Sequence, residues 1–143
     1  VAGLKRLGFG ERITDVLPRE MCLPAVGQGA LAIETRADDK EMQAMLEFLR
    51  DENTVRCARA ERSFLARVEG GCQVPVGVYA TINASDALEV EAVIASLDGK
   101  RLYRDMVTGP RREAENLGRI LADKLLAAGG LAIMHELGLL LDR

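Results

Sequence analysis

The chain has 143 residues, 48% apolar and 29% charged, with a net charge of -3; that is a globular composition with room for one ordinary domain, or one small domain plus pieces of others. With no Trp and only three Phe and two Tyr, the core must be aliphatic, and few aromatics with an acidic balance argue against single-stranded nucleic-acid binding. No apolar run nears the ~20 residues that span a bilayer, and three cysteines without metal-type spacing read as free thiols of a reducing compartment, which points to the cytoplasm.

The chain opens at Val1 without Met, already in mid-helix pattern, as expected of the C-terminal part of a longer protein. Val1, Leu4 and Leu7 lie at helical spacing with Lys5 and Arg6 between them, and Gly8 and Gly10 stop the run. On spacing alone Arg6 is a solvated surface charge. Ile13, Val16 and Leu17 predict a second short helical turn ending near Pro18. Pro24, Gly27 and Gly29 punctuate the next stretch, with Gln28 between the glycines, and residues 30–33 read as a short buried strand. Asp38-Asp39 offers an N-cap. Met42, Met45, Leu46 and Leu49 follow as a core stripe.

Asn53 or Thr54 is the expected cap of the next helix, whose apolar face is Val55, Cys57, Ala58, Phe64, Leu65 and Val68. Arg56, Arg59, Arg62 and Arg67 fall mostly on its other side, with Glu61 among them, as a solvated face. Three strand-like runs come next, at 76–82, 88–97 and 102–108. Turn residues at 83–87 and the Asp98-Gly99 pair separate them, so neighbours should pair antiparallel. Pro110 precedes a helix over 112–128 with the stripe Leu117, Ile120, Leu121 and Leu125, closed by Gly129-Gly130. A last helix is expected over 131–141. His135, the only histidine, has no second ligand nearby in sequence to make a metal site. From residue 52 onward the pattern is α+β: a three-stranded antiparallel sheet covered by helices on one face.

Between that first long helix and the first strand lies Val68-Glu69-Gly70-Gly71-Cys72-Gln73-Val74-Pro75. Paired glycines suit the end of a helix, and Pro75 pushes Val74 toward an extended conformation. Cys72 is therefore expected at the tip of a short constrained loop. By itself a lone cysteine reads as a small buried hydrophobe before it reads as a chemical group. Three segments together carry a resemblance: Glu69-Gly-Gly-Cys-Gln-Val-Pro75 resembles the cofactor-attachment loop of the porphobilinogen deaminase (hydroxymethylbilane synthase) family. Leu23-Pro-Ala-Val-Gly-Gln-Gly-Ala30 resembles its interdomain hinge, and Val1-Ala-Gly-Leu-Lys-Arg-Leu-Gly8 a helix lining its active site. They occur in the family's order along the whole chain.

The resemblance implies a transferase that joins four porphobilinogen molecules into linear hydroxymethylbilane with loss of ammonia, in tetrapyrrole and haem biosynthesis. It implies a dipyrromethane cofactor held by a thioether at Cys72, carboxylate binding by Arg6, and Gln28 and Gly29 near the pyrroles. A thiol suits the anchoring step, because the thiolate is a good nucleophile toward soft carbon. A guanidinium fork suits a carboxylate. The implied partners are porphobilinogen and the growing linear polypyrrole, with neither nucleic acid nor membrane, in an enzyme that is monomeric at full length. The implied domains are 1–23 as the tail of domain 2, 24–29 as hinge, 30–51 as a strand and helix returning to domain 1, and 52–143 as domain 3. Domains 1 and 2 would form a periplasmic-binding-protein-like α/β pair. The proton-transferring carboxylate would lie before Val1, so no catalytic residue is assigned here and the fragment alone should be inactive. The competing readings are a stand-alone α+β binding or interaction module with structural thiols, and a thiol redox or metal site, which the missing C-x-x-C disfavours.

Overall fold

A computed structural model describes residues 1–68 and 75–138; Cys72, with the rest of 69–74, and the expected helix end at 139–141 lie outside the described residues. Three strands form one antiparallel meander in the order β1-β2-β3: β1 (Val76–Ile82), β2 (Ala87–Ala95) and β3 (Leu102–Pro110). The register pairs Ala80 with Val90 and Ile94 with Tyr103. Polar side chains set both turns. Asn83 Oδ1 accepts from the amides of Ser85 (2.9 Å) and Ala87 (3.0 Å). Ser96 donates to Asp98 Oδ1 at 2.6 Å before Gly99.

Period-two burial separates the two faces of the sheet. Leu88, Val90, Ala92 and Ile94 of β2 and Val78 and Ala80 of β1 are buried on one face. That face is covered by α3 (Glu52–Arg67) and α4 (Ala114–Leu125), through Ala60, Phe64, Leu117, Leu121 and Leu125. The two helices touch at Gly118, where an added Cβ would lie 2.2 Å from the Ala60 carbonyl oxygen. Asp105 of β3 is tied to α4 by Lys124 at 2.8 Å. The α+β expectation for this region therefore holds.

That last ion pair has a pH signature. The Lys124 ammonium, then the Met106 amide, holds the Asp105 carboxyl below its ordinary value of 3.8. A carboxylate depressed on folding stabilises the fold above its unfolded pKa and loses that contribution as pH falls through the folded one. Both groups are well exposed, so the effect is small, about 0.3 kcal/mol. Lys124→Met should lower the urea midpoint slightly at pH 7, with the difference closing below the ordinary carboxylate range. A difference that stays constant into strong acid would contradict the assignment.

Several boundaries depart from the expected ones, each for a local reason. The cap of α3 is Asp51, whose Oδ1 accepts from the Thr54 amide at 2.7 Å. Thr54 is thus the donor three residues on rather than the cap, and Asn53 lies inside the helix. Asp39 does cap α2 (Lys40–Leu46), accepting from Met42. The short turn expected over 13–17 instead sits at Gly10–Arg12, a 3-10 turn that ends where Ile13 is extended. It follows α1 (Ala2–Arg6).

Residues 30–33 form no strand, and Leu31 is 94% exposed. A strand needs a partner, and no described strand lies beside this one. Met42, Met45 and Leu49 are likewise exposed rather than core. Met42 and Met45 lie on α2 and Leu49 on the 3-10 turn Glu47–Leu49 that continues it, and neither element packs substantially on the sheet.

The helix expected over 112–128 is divided. A 3-10 turn at Arg111–Glu113 leads into α4, and Gly129, at φ +132°, turns the chain into α5 (Leu131–Glu136). Ile120 is 42% exposed, so the buried stripe of α4 is Leu117, Leu121 and Leu125. Ile133 and Met134 bury α5 against the same core. No helix among the described residues is long and apolar enough to cross a membrane.

Candidate functional site

The sheet's other face and the free edge of β1 are held by the segment that precedes the 24–29 turn. Arg104, on the open face, donates to the carbonyl oxygens of Glu20 (2.6 Å) and Arg19 (3.0 Å) while paired with Glu91. Leu23 sits over Gly77, where an added Cβ would come within 2.9 Å of the Leu23 Cβ. The Val78 amide, which points away from β2, donates to the Pro24 carbonyl at 3.1 Å. The chain from 19 to 24 is therefore strapped across the sheet.

Two successive tight turns follow. The Gln28 amide donates to the Ala25 carbonyl, and the Ala30 amide to the Gly27 carbonyl, each at 3.1 Å. Gly27 (φ +69°) and Gly29 (φ +88°) occupy the third positions, where a left-handed backbone favours glycine. The turns roof a cleft of about 370 Å³. Its walls are Asn53, Cys57 and Glu61 of α3 and Tyr79 and Thr81 of β1.

Glu61 is the polar centre of that cleft. It is 7% exposed. Oε2 accepts from the Gly27 amide at 2.7 Å and Oε1 from the Ala80 amide at 2.9 Å. Cys57 lies one helical turn earlier. Burial, with the Glu61 and Asp51 charges, pushes its thiol pKa up, away from the reactive thiolate. Its place among core residues is only partial, because it also lines the cleft.

The expected site residues are only partly brought together. Gln28 and Gly29 line the mouth of the cleft, and the exposed Gln28 side chain forms no hydrogen bond among the described residues. Arg6 is exposed on α1, in no ion pair or hydrogen bond among the described residues, and not in the cleft. Cys72 lies outside the described residues, although both of its flanks are fixed. Val68 is fully buried at the end of α3, and the Pro75 carbonyl accepts from the Ala95 amide at 3.0 Å. Cys22 is an exposed free thiol. The described residues hold no group of three or more His, Cys, Asp or Glu able to bind a metal ion.

Sequence reasoning placed Glu61 on a solvated face and missed its role. The signal was present: Glu61 falls between Cys57 and Phe64 on the arc that Ala60 and Val68 also occupy, an acid inside an apolar stripe. The strap had no such signal, since Arg104 binds backbone carbonyls that any residue supplies.

The fold and cleft together define a class: a small α+β domain whose lead helix clamps an incoming segment of two tight turns. Two family definitions match the chain. "Porphobilinogen deaminase, dipyromethane cofactor binding domain" covers residues 1–44, and "Porphobilinogen deaminase, C-terminal domain" covers residues 55–127. Curated porphobilinogen deaminases agree. That of Geotalea daltonii is 47% identical over 135 residues, covering 94% of this chain and 42% of that protein. That of Geobacter sulfurreducens is 45% identical with the same coverage. That of Gloeobacter violaceus is 47% identical over 137 residues, covering 96% of this chain and 42% of that protein. The chain belongs to the porphobilinogen deaminase family, and it spans about 42% of the length of these relatives.

Proposed function

We propose that the chain is the C-terminal part of a hydroxymethylbilane synthase, a transferase that condenses four porphobilinogen molecules with release of ammonia. The observation that carries this reading is the pair of family matches, which fall in order along one chain, the second beginning just inside α3. Residues 1–23 then close domain 2, 24–29 are the hinge, 30–51 return to domain 1, and 52–143 are domain 3. Domains 1 and 2 are the periplasmic-binding-protein-like pair. Exposed Leu31, Ile33, Met45 and Phe48 support the assignment of 30–51, because apolar side chains left uncovered by this domain suit burial against another.

Dipyrromethane, bound, would supply the nucleophilic pyrrole from which the product grows. The donor set fits it in part. Cys72 offers the thiol for a thioether, and Gln28 offers an unengaged amide at the cleft mouth. The cleft itself contributes no Lys or Arg among its described lining. The acetate and propionate groups of the pyrroles therefore need cations from elsewhere: Arg6 from domain 2 and others upstream. Residues 1–44, which the cofactor-binding description covers, include Arg6, Gln28 and Gly29; in this reading they face the cofactor from one side and the Cys72 anchor holds it from the other. Ammonia loss needs a proton donor and a carboxylate near the pyrrole nitrogens. We assign that carboxylate to domain 1, and the enzyme works as a cytoplasmic monomer.

The test is porphobilinogen consumption. The full-length protein should convert it to hydroxymethylbilane, and residues 1–143 alone should not. An inert full-length protein would sink the reading. Turnover by residues 1–143 would sink the placement of the carboxylate upstream.

A further inference from the structure

We propose that Glu61 is a positioning residue: its carboxylate fixes the 27–29 turn, and with it Gln28, against the helix that leads to the Cys72 loop. This rests on the function proposed above. The carboxylate is almost fully buried, and no Lys, Arg or His among the described residues pairs with it. Such a group is costly to bury and persists only where donors converge on it. Here the donors are two backbone amides from segments far apart in sequence, Gly27 and Ala80, one on each oxygen.

One oxygen would suffice to satisfy the β1 edge. The second reaches out of the domain's own fold to the turn. Charge assistance makes both bonds stronger than neutral ones. Seven residues beyond Glu61 the same helix ends at Val68, and the chain that leaves it reaches Cys72 four residues later. The turn that presents Gln28 and the point at which the chain sets out toward Cys72 are thus referenced to one rigid element. Glutamine at 61 would offer one acceptor and one NH₂ group to two N–H donors, leaving a donor facing a donor.

The experiment uses the full-length protein with Glu61→Gln, and Ile133→Val as a control that lowers stability from α5 without touching the turn. Backbone amide exchange at Gly27 and Ala80 is read together with kcat and KM for hydroxymethylbilane formation. Glu61→Gln should speed Gly27 exchange at least about tenfold over the control, as expected for loss of one charge-assisted bond. It should lower kcat well beyond the control with primer still on Cys72, and Glu61→Asp should recover part of both. Gly27 exchange no faster than in the control would overturn the proposal. So would a loosened turn with the control's kcat, which would leave Glu61 a structural clamp only. If the full-length protein makes no bilane, the functional reading fails separately, and the exchange result still decides whether Glu61 holds the turn.

Discussion

Gly118→Ala should destabilise the chain by about 3 kcal/mol, near the top of the range for overpacked sites. Helix propensity predicts the opposite sign, since alanine in a helix interior gains up to about 1 kcal/mol over glycine. The crossing of α3 and α4 decides against it. The new methyl carbon would lie 2.2 Å from the Ala60 carbonyl oxygen and 3.0 Å from the Phe64 amide nitrogen. Both are backbone atoms in a helix, so neither can rotate away, and the helices must separate. That opens the contact between Ala60, Phe64 and Leu121, all fully buried, and dispersion contacts are lost along it. Urea unfolding followed by circular dichroism measures the change. An unaltered or raised midpoint would show that the helices do not meet as closely as described.

Cys72→Ser in the full-length protein should abolish hydroxymethylbilane formation down to the assay background while the protein still folds, as read by circular dichroism; without its primer the thermal midpoint should fall. The serine hydroxyl is nearly isosteric, but at neutral pH it is a far weaker nucleophile than a thiol with an accessible thiolate. No other thiol here is a natural substitute. Cys57 is half-buried with its pKa pushed up, and Cys22 is exposed, away from the cleft. Cys22→Ser, as a control, should keep the parent rate. A Cys72→Ser protein that still polymerised porphobilinogen would refute the anchor.

The sheet was the most legible part of the sequence, because alternation and turn chemistry are local. Residues 76–82 were expected as a strand, and β1 is Val76–Ile82; Asp98-Gly99 marks the hairpin before β3. What sequence could not decide were the contests between neighbours of similar chemistry. Asp51, Asn53 and Thr54 can each cap a helix, and only the 2.7 Å bond to the Thr54 amide selects Asp51. Residues 30–33 carry a strand's apolar pattern, but pairing is a property of two segments and no described strand lies alongside.

The candidate site was legible in a different way. Gly27, Gln28 and Gly29 stood out by composition, and the turns they form line the cleft as a group. Arg6 stood out by family likeness, yet α1 does not bring it to the cleft among the described residues. Glu61 needed only the observation that a charge interrupts an apolar stripe. It was passed over because the arginines around it made a solvated face the simpler reading.

The most direct measurement is the mass of the Cys72-containing peptide from the full-length protein. A two-ring pyrrole adduct on Cys72, coloured by Ehrlich's reagent and absent in Cys72→Ser, is the predicted result. A bare Cys72 thiol in protein that still makes hydroxymethylbilane, or an adduct carried by another side chain, would contradict the account.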